Sequence, residues 1–320
     1  MIVSMDGADM EDALKMKPVI CIAGPTASGK SAYALEVAEV VGGEIINADA
    51  LQVYEDLHIL SARPLDSEMG GVPHHLFGHI SGEIRYSTGE WLRSVELLIL
   101  EILARGKAPV LVGGTGLYFR ALLQGMADIP AVSKAVQDQT KRQLEVGGVA
   151  ALRQRATELD PIATARVLGN DPQRLQRIVN VAVGTGQALS TWQSETHPVV
   201  PSRFARFCVL TPPREVLYDR INARYDQMLR QGGLQEAKAV FDKAFDKGLP
   251  VMKAIGLRQL ERYFNDLCSL DEAVEDAKRE SRRFAKRQMT WFRNQPPKGV
   301  FLANRSDRGR FTKGLEGLTF

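Results

Sequence analysis

Residues 18–24, PVICIAG, are an apolar run too short for a helix, and they read as a buried strand. The run passes directly into Gly24, Pro25, Thr26, Ala27, Ser28, Gly29, Lys30 and Ser31, which fill the pattern G-x-x-x-x-G-K-[ST] completely. Residues 31–41, SAYALEVAEVV, then place Ala34, Leu35, Ala38 and Val41 at helical spacing, and Gly42 and Gly43 stop the helix. Strand, glycine-rich loop and helix in that order confine the chain to a P-loop arrangement. In it, loop N–H groups and the helix N-terminus converge on phosphate oxygens. Lys30 adds a full charge, and the Ser31 hydroxyl is a candidate ligand for Mg²⁺. The motif implies a bound di- or triphosphate without saying which.

The remaining pattern extends that architecture. Residues 44–49, EIINAD, read as a second strand, and 90–105 as a long helix with Trp91, Val95, Leu98 and Ile102 on one face. PVLVGGTG (109–116) reads as a third buried strand entering a Gly-rich turn. Such alternation predicts an α/β fold, a P-loop NTPase-like parallel sheet flanked by helices. From about 126 to 204 the character changes. Residues 131–146 and 149–158 read as polar helices, and Asp160-Pro161 and Asp171-Pro172 as N-caps before Pro. An all-helical insertion domain is predicted there. FARFCVL (204–210) reads as a returning strand, and 213–230, 233–246, 255–264 and 271–293 as helices. The expected organisation is a mobile leader (1–17), a core (18–125 and 205–295), the insertion (126–204) and a C-terminal tail (296–320).

Composition excludes other classes. Three widely spaced cysteines, Cys21, Cys208 and Cys268, make neither a disulfide scaffold nor a zinc site, and they fit a reducing, cytoplasmic setting. No run of 18 apolar residues suggests a membrane span, and no heptad pattern argues against a monomer. The net charge of +3 hides an asymmetry. Residues 278–293, KRESRRFAKRQMTWFR, carry seven of the 41 Lys+Arg and one of the 38 Asp+Glu, so the rest of the chain is slightly acidic. Such a segment suits a polyanionic partner, or a solvated helix face.

Four further features bear on chemistry. The strand PVLVGGTG ends in Gly113, Gly114 and Thr115, with no acid where an ATP-hydrolysing machine holds its metal. Asp49 falls at the carboxyl end of a strand, where α/β sheets bind ligands, and could take a proton from an amine or hydroxyl; it could equally cap a turn. Arg220 and Arg224 share a helix face, suited to a departing diphosphate or to pairing with nearby acids. Arg279, Arg283, Lys286 and Arg287 form one stripe, with Phe284, Trp291 and Phe292 interleaved. Arg174 and Arg177 add a second basic pair on the insertion, and two such surfaces beside a phosphate loop suit a tRNA arm. His74 and His75 are adjacent, point different ways, and make a poor metal pair.

GPTASGKS, INADALQVY, VPHHLFGHI, LVGGTGLYFRALLQG, DPQRLQR, RINARYDQMLRQGGLQEA and AKRQMTWFRN together resemble, over residues 18–295, the tRNA dimethylallyltransferase (tRNA isopentenylpyrophosphate transferase) family. The resemblance implies transfer of a dimethylallyl group from dimethylallyl diphosphate to N6 of adenosine 37, in the anticodon loop of tRNA, with Mg²⁺. It implies that Thr26 to Ser31 cradle the diphosphate, that Asp49 engages the N6 amine, and that Thr115 lies against the reacting centre. Arg220 and Arg224 match arginines near the diphosphate. Implied tRNA contacts are Asp49, Ala50, Leu51, Gln52, Thr115, Gln137, Gln173, Arg174, Leu175, Gln176, Arg177, Arg283, Lys286 and Arg287. Departures occur at Ala50, where the family has Ser, and at Leu60, Ser61 and Arg63, where it has Gly, Thr and Lys. No Cys/His zinc module follows, as in bacterial members. A P-loop kinase that activates a hydroxyl through Asp49, and a non-catalytic RNA-binding P-loop protein, are the alternatives.

Overall fold

The computed structural model describes residues 12, 14–295, 301–303 and 308–316. Its centre is β1 (Val19–Ala23), buried at all five positions. Ile20 and Ile22 join the apolar layer on one face, and Val19, Cys21 and Ala23 the layer on the other. A strand packed on both faces has no polar side to show, hence its continuous apolar sequence. β1 lies between β4 (Ala108–Gly113) and β5 (Ala205–Leu210), in register through Cys21↔Leu111 and Cys21↔Phe207. Beyond β4 lie β2 (Gly43–Asn47) and β3 (His74–His75), and beyond β5 lies β6 (Phe301–Ala303). All pairings are parallel, in the order β3-β2-β4-β1-β5-β6.

Helix α1 (Lys30–Val41) covers one face through Tyr33, Ala34, Val37 and Ala38. The other face carries α2 (Thr88–Ala104), capped by Ser87, whose hydroxyl accepts from the Glu90 N–H, and α3 (Gly116–Gln124). The sequence reading does not anticipate α3. Tyr118, Phe119, Ala121, Leu122 and Leu123 are all buried, and Arg120 and Gln124 are the two polar positions on its exposed face, too few in nine residues to mark it. Each large side chain buried in these layers contributes about 1.5–3 kcal/mol.

Downstream, α8 (Arg214–Arg230), α9 (Gly233–Asp242), α10 (Leu257–Phe264) and α11 (Leu270–Asn294) complete this unit. Buried Phe292 docks the end of α11 into the core that holds Trp91 and Phe119. Two segments set apart by the sequence reading join the fold. Leu14, in the expected leader, is buried in the core, while residues 1–11 lie outside the described residues. In the expected tail, β6 extends the sheet and α12 (Arg308–Glu316) packs on α1 with Leu315 buried.

A second unit spans Gln124–Pro198. Its helices are α4 (Lys134–Leu159), α5 (Pro161–Ala165), α6 (Pro172–Thr185) and α7 (Leu189–Ser194). Gly148, at φ 68 and ψ −175, breaks α4 where the sequence separates two helices. Asp160 caps α5 through the Ala163 N–H, and Asp171 caps α6 through the Gln173 and Arg174 N–H groups. The unit ends at Pro198, not at 204. Val200 is fully buried in the first unit's core, and its N–H donates to Leu122 O at 3.1 Å.

Candidate active site

The P-loop closes between β1 and α1 with Gly29 at φ 84 as the N-cap. The Ser28 N–H donates to Pro25 O (3.3 Å), and Lys30 Nζ donates to the same carbonyl at 3.4 Å. Ser28 Oγ is buried without a partner among the described residues. Thr26 is braced from outside the loop. Its N–H donates to Gln288 Oε1 at 2.9 Å, so this amide is engaged by α11. Gln288, 5% exposed, also donates through Nε2 to Gly114 O at 3.0 Å. One carboxamide thereby ties the phosphate loop to the Gly-Gly-Thr turn.

Asp49 stands two residues past β2, held by buried Asn47. Asn47 Oδ1 accepts the Asp49 N–H (2.9 Å), and Nδ2 donates to Asp49 O and Leu76 O, both 3.0 Å. Trp91 Nε1 fixes Asn47 in turn, donating to its carbonyl at 2.9 Å, and the Trp91 ring stacks on Tyr118 at 4.1 Å. The Asp49 carboxylate accepts the Leu51 N–H through Oδ1 (3.0 Å), the turn role open to it from sequence. Thr115 meets this turn from β4: its Oγ1 accepts the Ala50 N–H at 3.0 Å, and its N–H donates to Ala48 O at 3.3 Å. The strands approach so closely that a Cβ on Gly113 would lie 2.0 Å from Ala48 O.

Electrostatics link the parts. Burial pulls the Lys30 ammonium down to about 8; the Asp49 carboxylate opposes this shift and the Arg224 charge adds to it. Burial likewise lowers Arg224, with Asp49 and Glu68 opposing. Arg224 also donates to Ala62 O at 3.4 Å. Arg220 is exposed, and Arg224 is the arginine whose charge reaches Lys30 and Asp49. Lys30, Asp49, Thr115 and Arg224 therefore belong to one region at the carboxyl ends of the strands.

The expected RNA-contacting residues divide. Gln52 turns inward, donating to Ser61 O (3.0 Å) and Ala62 O (2.8 Å), and Ala50 and Leu51 pack partly against apolar clusters. Leu175 is fully buried in the core of the second unit, so its side chain offers nothing to a ligand. Gln137, Gln173, Gln176 and Arg177 line one groove of about 290 Å³ with Val132 and Asn180. Arg174 is exposed and pairs with Asp171 at 3.3 Å. On α11, Arg283, Lys286 and Arg287 are exposed and line a groove of about 500 Å³ with Thr290, Trp291, Asn294 and Gln295. Glu280 pairs with Arg287 (2.8 Å) and Arg283 (3.7 Å). Such surface pairs are worth about 0–1 kcal/mol, so a polyanion displaces them readily.

His75 Nε2 contacts Glu44 at 2.7 Å; hydrogen bonds from Arg105 hold that buried carboxyl below its usual range. Among the described residues no cluster of His, Cys, Asp and Glu would hold a metal on its own. The residues nevertheless fit Mg²⁺ brought with a diphosphate. That ion keeps phosphate and water ligands, and the exposed Ser31 hydroxyl in the first turn of α1 can supply one more. The sequence pointed to Lys30, Asp49, Thr115 and Arg224 through motif and strand position. It gave no sign of Asn47, Tyr118 or Gln288 as supports: they lie inside the quoted motifs, but a motif does not say which side chains turn inward to brace the backbone.

Comparison with known proteins agrees with this geometry. The IPP transferase family model matches residues 52–295, and the isopentenyl transferase model matches residues 17–77. A tRNA dimethylallyltransferase of Maricaulis maris is 49% identical over 88% of this chain and 91% of its own, and one of Hyphomonas neptunium 47% over 88% and 90%. The crystal structure of a tRNA isopentenylpyrophosphate transferase from Bacillus halodurans is 31% identical, with TM-score 0.68, over 95% of this chain and 97% of that one. A eukaryotic dimethylallyltransferase crystallised acting on tRNA gives TM-score 0.81 at 27% identity, over 93% and 78%. With its phosphate loop, Gly-Gly-Thr turn and strand-end aspartate in place, this chain belongs to the IPP transferase family, the family of the tRNA dimethylallyltransferases.

Proposed function

We propose that the protein transfers a dimethylallyl group from dimethylallyl diphosphate to N6 of adenosine 37 in the anticodon loop of tRNA. The observation that carries this reading is the shared electrostatic region of Lys30, Asp49 and Arg224 beside a β4 end that has no acid. Two cations next to a phosphate loop suit a departing diphosphate, and one carboxylate among them suits an amine that loses a proton.

The allylic C–O bond breaks with charge building on the diphosphate oxygen, and a C–N bond forms to N6. Lys30, Arg224 and the loop N–H groups stabilise the growing anion. Ser31 would hold Mg²⁺ brought with the diphosphate, and the chemistry that ion would supply is further neutralisation of this charge. Asp49 orients the N6 amine and takes the proton it releases. An exocyclic adenine amine is a weak nucleophile, so the clamp of Asn47 and Thr115 on the Asp49 turn contributes through position. The base leaves its stack to enter, which a loop permits at low cost. Phosphate contacts by Arg283, Lys286 and Arg287 hold the tRNA, and the groove of Gln173, Gln176 and Arg177 supplies polar groups for splayed bases. Free cysteines, two of them buried, suit action in the cytoplasm.

Incubation with tRNA lacking this modification, dimethylallyl diphosphate and Mg²⁺, followed by nucleoside mass analysis, tests the reading. N6-dimethylallyladenosine is the expected product. Its absence, with ATP consumed in a parallel reaction, would replace the transferase with a kinase.

A further inference from the structure

We propose that Arg308 is a positioning residue for the diphosphate site, an inference that rests on the transferase reading above. Arg308 opens α12, which packs on α1. Its Nη2 donates to Ser28 O at 3.2 Å, inside the phosphate loop. Its guanidinium lies over the Tyr33 ring, with Cζ 5.2 Å from the ring centroid. The Tyr33 hydroxyl returns a hydrogen bond to Arg308 O (2.9 Å) and makes another with Thr312 Oγ1 (3.1 Å). The backbone carbonyl of Arg308 is thus held by Tyr33 of α1, while its guanidinium lies on the Tyr33 ring and reaches the loop carbonyl. A Cβ at Gly29 would lie 3.2 Å from Nη2, so glycine leaves room for the guanidinium.

The consequence follows from the peptide plane. Ser28 C=O and Gly29 N–H belong to one trans peptide and point in opposite directions. A cation that holds the Ser28 carbonyl on the α12 side turns the Gly29 N–H to the other side of the loop. Phosphate loops bind through N–H groups aimed into their concavity, so Arg308 presets one donor of the cradle. Its charge also stands one peptide unit from the Gly29 N–H. Two buried polar atoms here, Arg308 Nε and Ser28 Oγ, have no partner among the described residues. Unpaired buried donors are uncommon, and a loop awaiting a highly charged ligand is a place where they have a use.

Binding of inorganic diphosphate with Mg²⁺ to the full chain, measured by calorimetry, tests this directly. Arg308→Gln is expected to raise the diphosphate Kd and the KM for dimethylallyl diphosphate about tenfold. kcat and tRNA affinity should stay within twofold, and Arg308→Lys should recover most of the loss by restoring the charge. Leu315→Ala, which loosens α12 without touching the loop, is the structural control. A diphosphate Kd within twofold of wild type in Arg308→Gln overturns the proposal. So does a Kd that rises in Arg308→Gln and Leu315→Ala in proportion to their loss of Tm, because that marks a merely structural contact. Wild-type protein that binds ATP and not diphosphate overturns the transferase reading instead; the same variants then test Arg308 on the ATP Kd.

Discussion

Gln288 and Thr26, 262 residues apart in the chain, meet in a hydrogen bond of 2.9 Å that engages one backbone N–H of the phosphate loop. The same carboxamide holds Gly114 O, so the loop and the Gly-Gly-Thr turn share one support from α11. Gln288→Leu leaves the buried Gly114 carbonyl and the half-buried Thr26 N–H unpaired, at about 1–3 kcal/mol for the buried group and less for the other. Thermal melting is expected to show Tm lower by roughly 5–10 °C, and steady-state kinetics a higher KM for dimethylallyl diphosphate. An unchanged Tm would mean that water replaces the amide.

Asp49→Asn separates turn from charge. Asn keeps an oxygen for the Leu51 N–H, so the turn survives, while the proton acceptor is gone. Turnover is expected to fall by about 10²–10⁴ with tRNA affinity nearly unchanged. Single-turnover rates and filter binding measure the two separately, and a variant with near-normal turnover would remove Asp49 from the chemistry.

Lys30 makes diphosphate binding depend on pH. Burial sets its ammonium near about 8, below the ordinary lysine value. Below that pH it is charged both free and bound, so binding moves no proton. Above it the free protein has lost the charge, and a diphosphate restores it by taking up a proton. Calorimetry at pH 9 in buffers of different ionisation enthalpy is expected to show net proton uptake that vanishes near pH 6.5 and in Lys30→Met.

Arg224 and Arg220 are equivalent in the helical pattern and unequal in the fold. Arg224→Gln is expected to lower kcat/KM by about 10²–10³, the loss typical of a group that stabilises charge in the transition state. Arg220→Gln is expected to stay within about threefold. Equal losses in the two variants would contradict the assignment made from exposure and coupling.

The α11 cations are expected to act on affinity and not on the chemical step. Arg283→Gln with Lys286→Gln removes two exposed charges beside the groove. The plot of log affinity for tRNA against log salt is expected to flatten by roughly 1.4–1.8 units, at about 0.7–0.9 per lost phosphate contact. An unchanged slope would mark the stripe as a solvated face.

Much of the site was legible because its chemistry needs particular residue types at fixed spacing. GPTASGKS announces a phosphate loop, and strand β1 before it and helix α1 after it follow from local apolar pattern. Asp49 was legible from its strand-end position and from the motif INADALQVY, whereas the burial of Leu175 was not, because a motif says nothing of which side chains face inward. The short β6 and α12 escaped notice because their stability comes from the sheet edge and from α1.

By itself, then, the sequence determined the phosphate loop, the parallel α/β layering and the family, all properties of contiguous residues. The tertiary structure alone decided that Arg224 and not Arg220 joins Lys30, that Gln288 braces Thr26, and that Arg308 reaches Ser28. Two of those contacts join residues 262 and 280 positions apart, Gln288 with Thr26 and Arg308 with Ser28. No local periodicity encodes such a meeting; it is set by the packing of helices on an open parallel sheet.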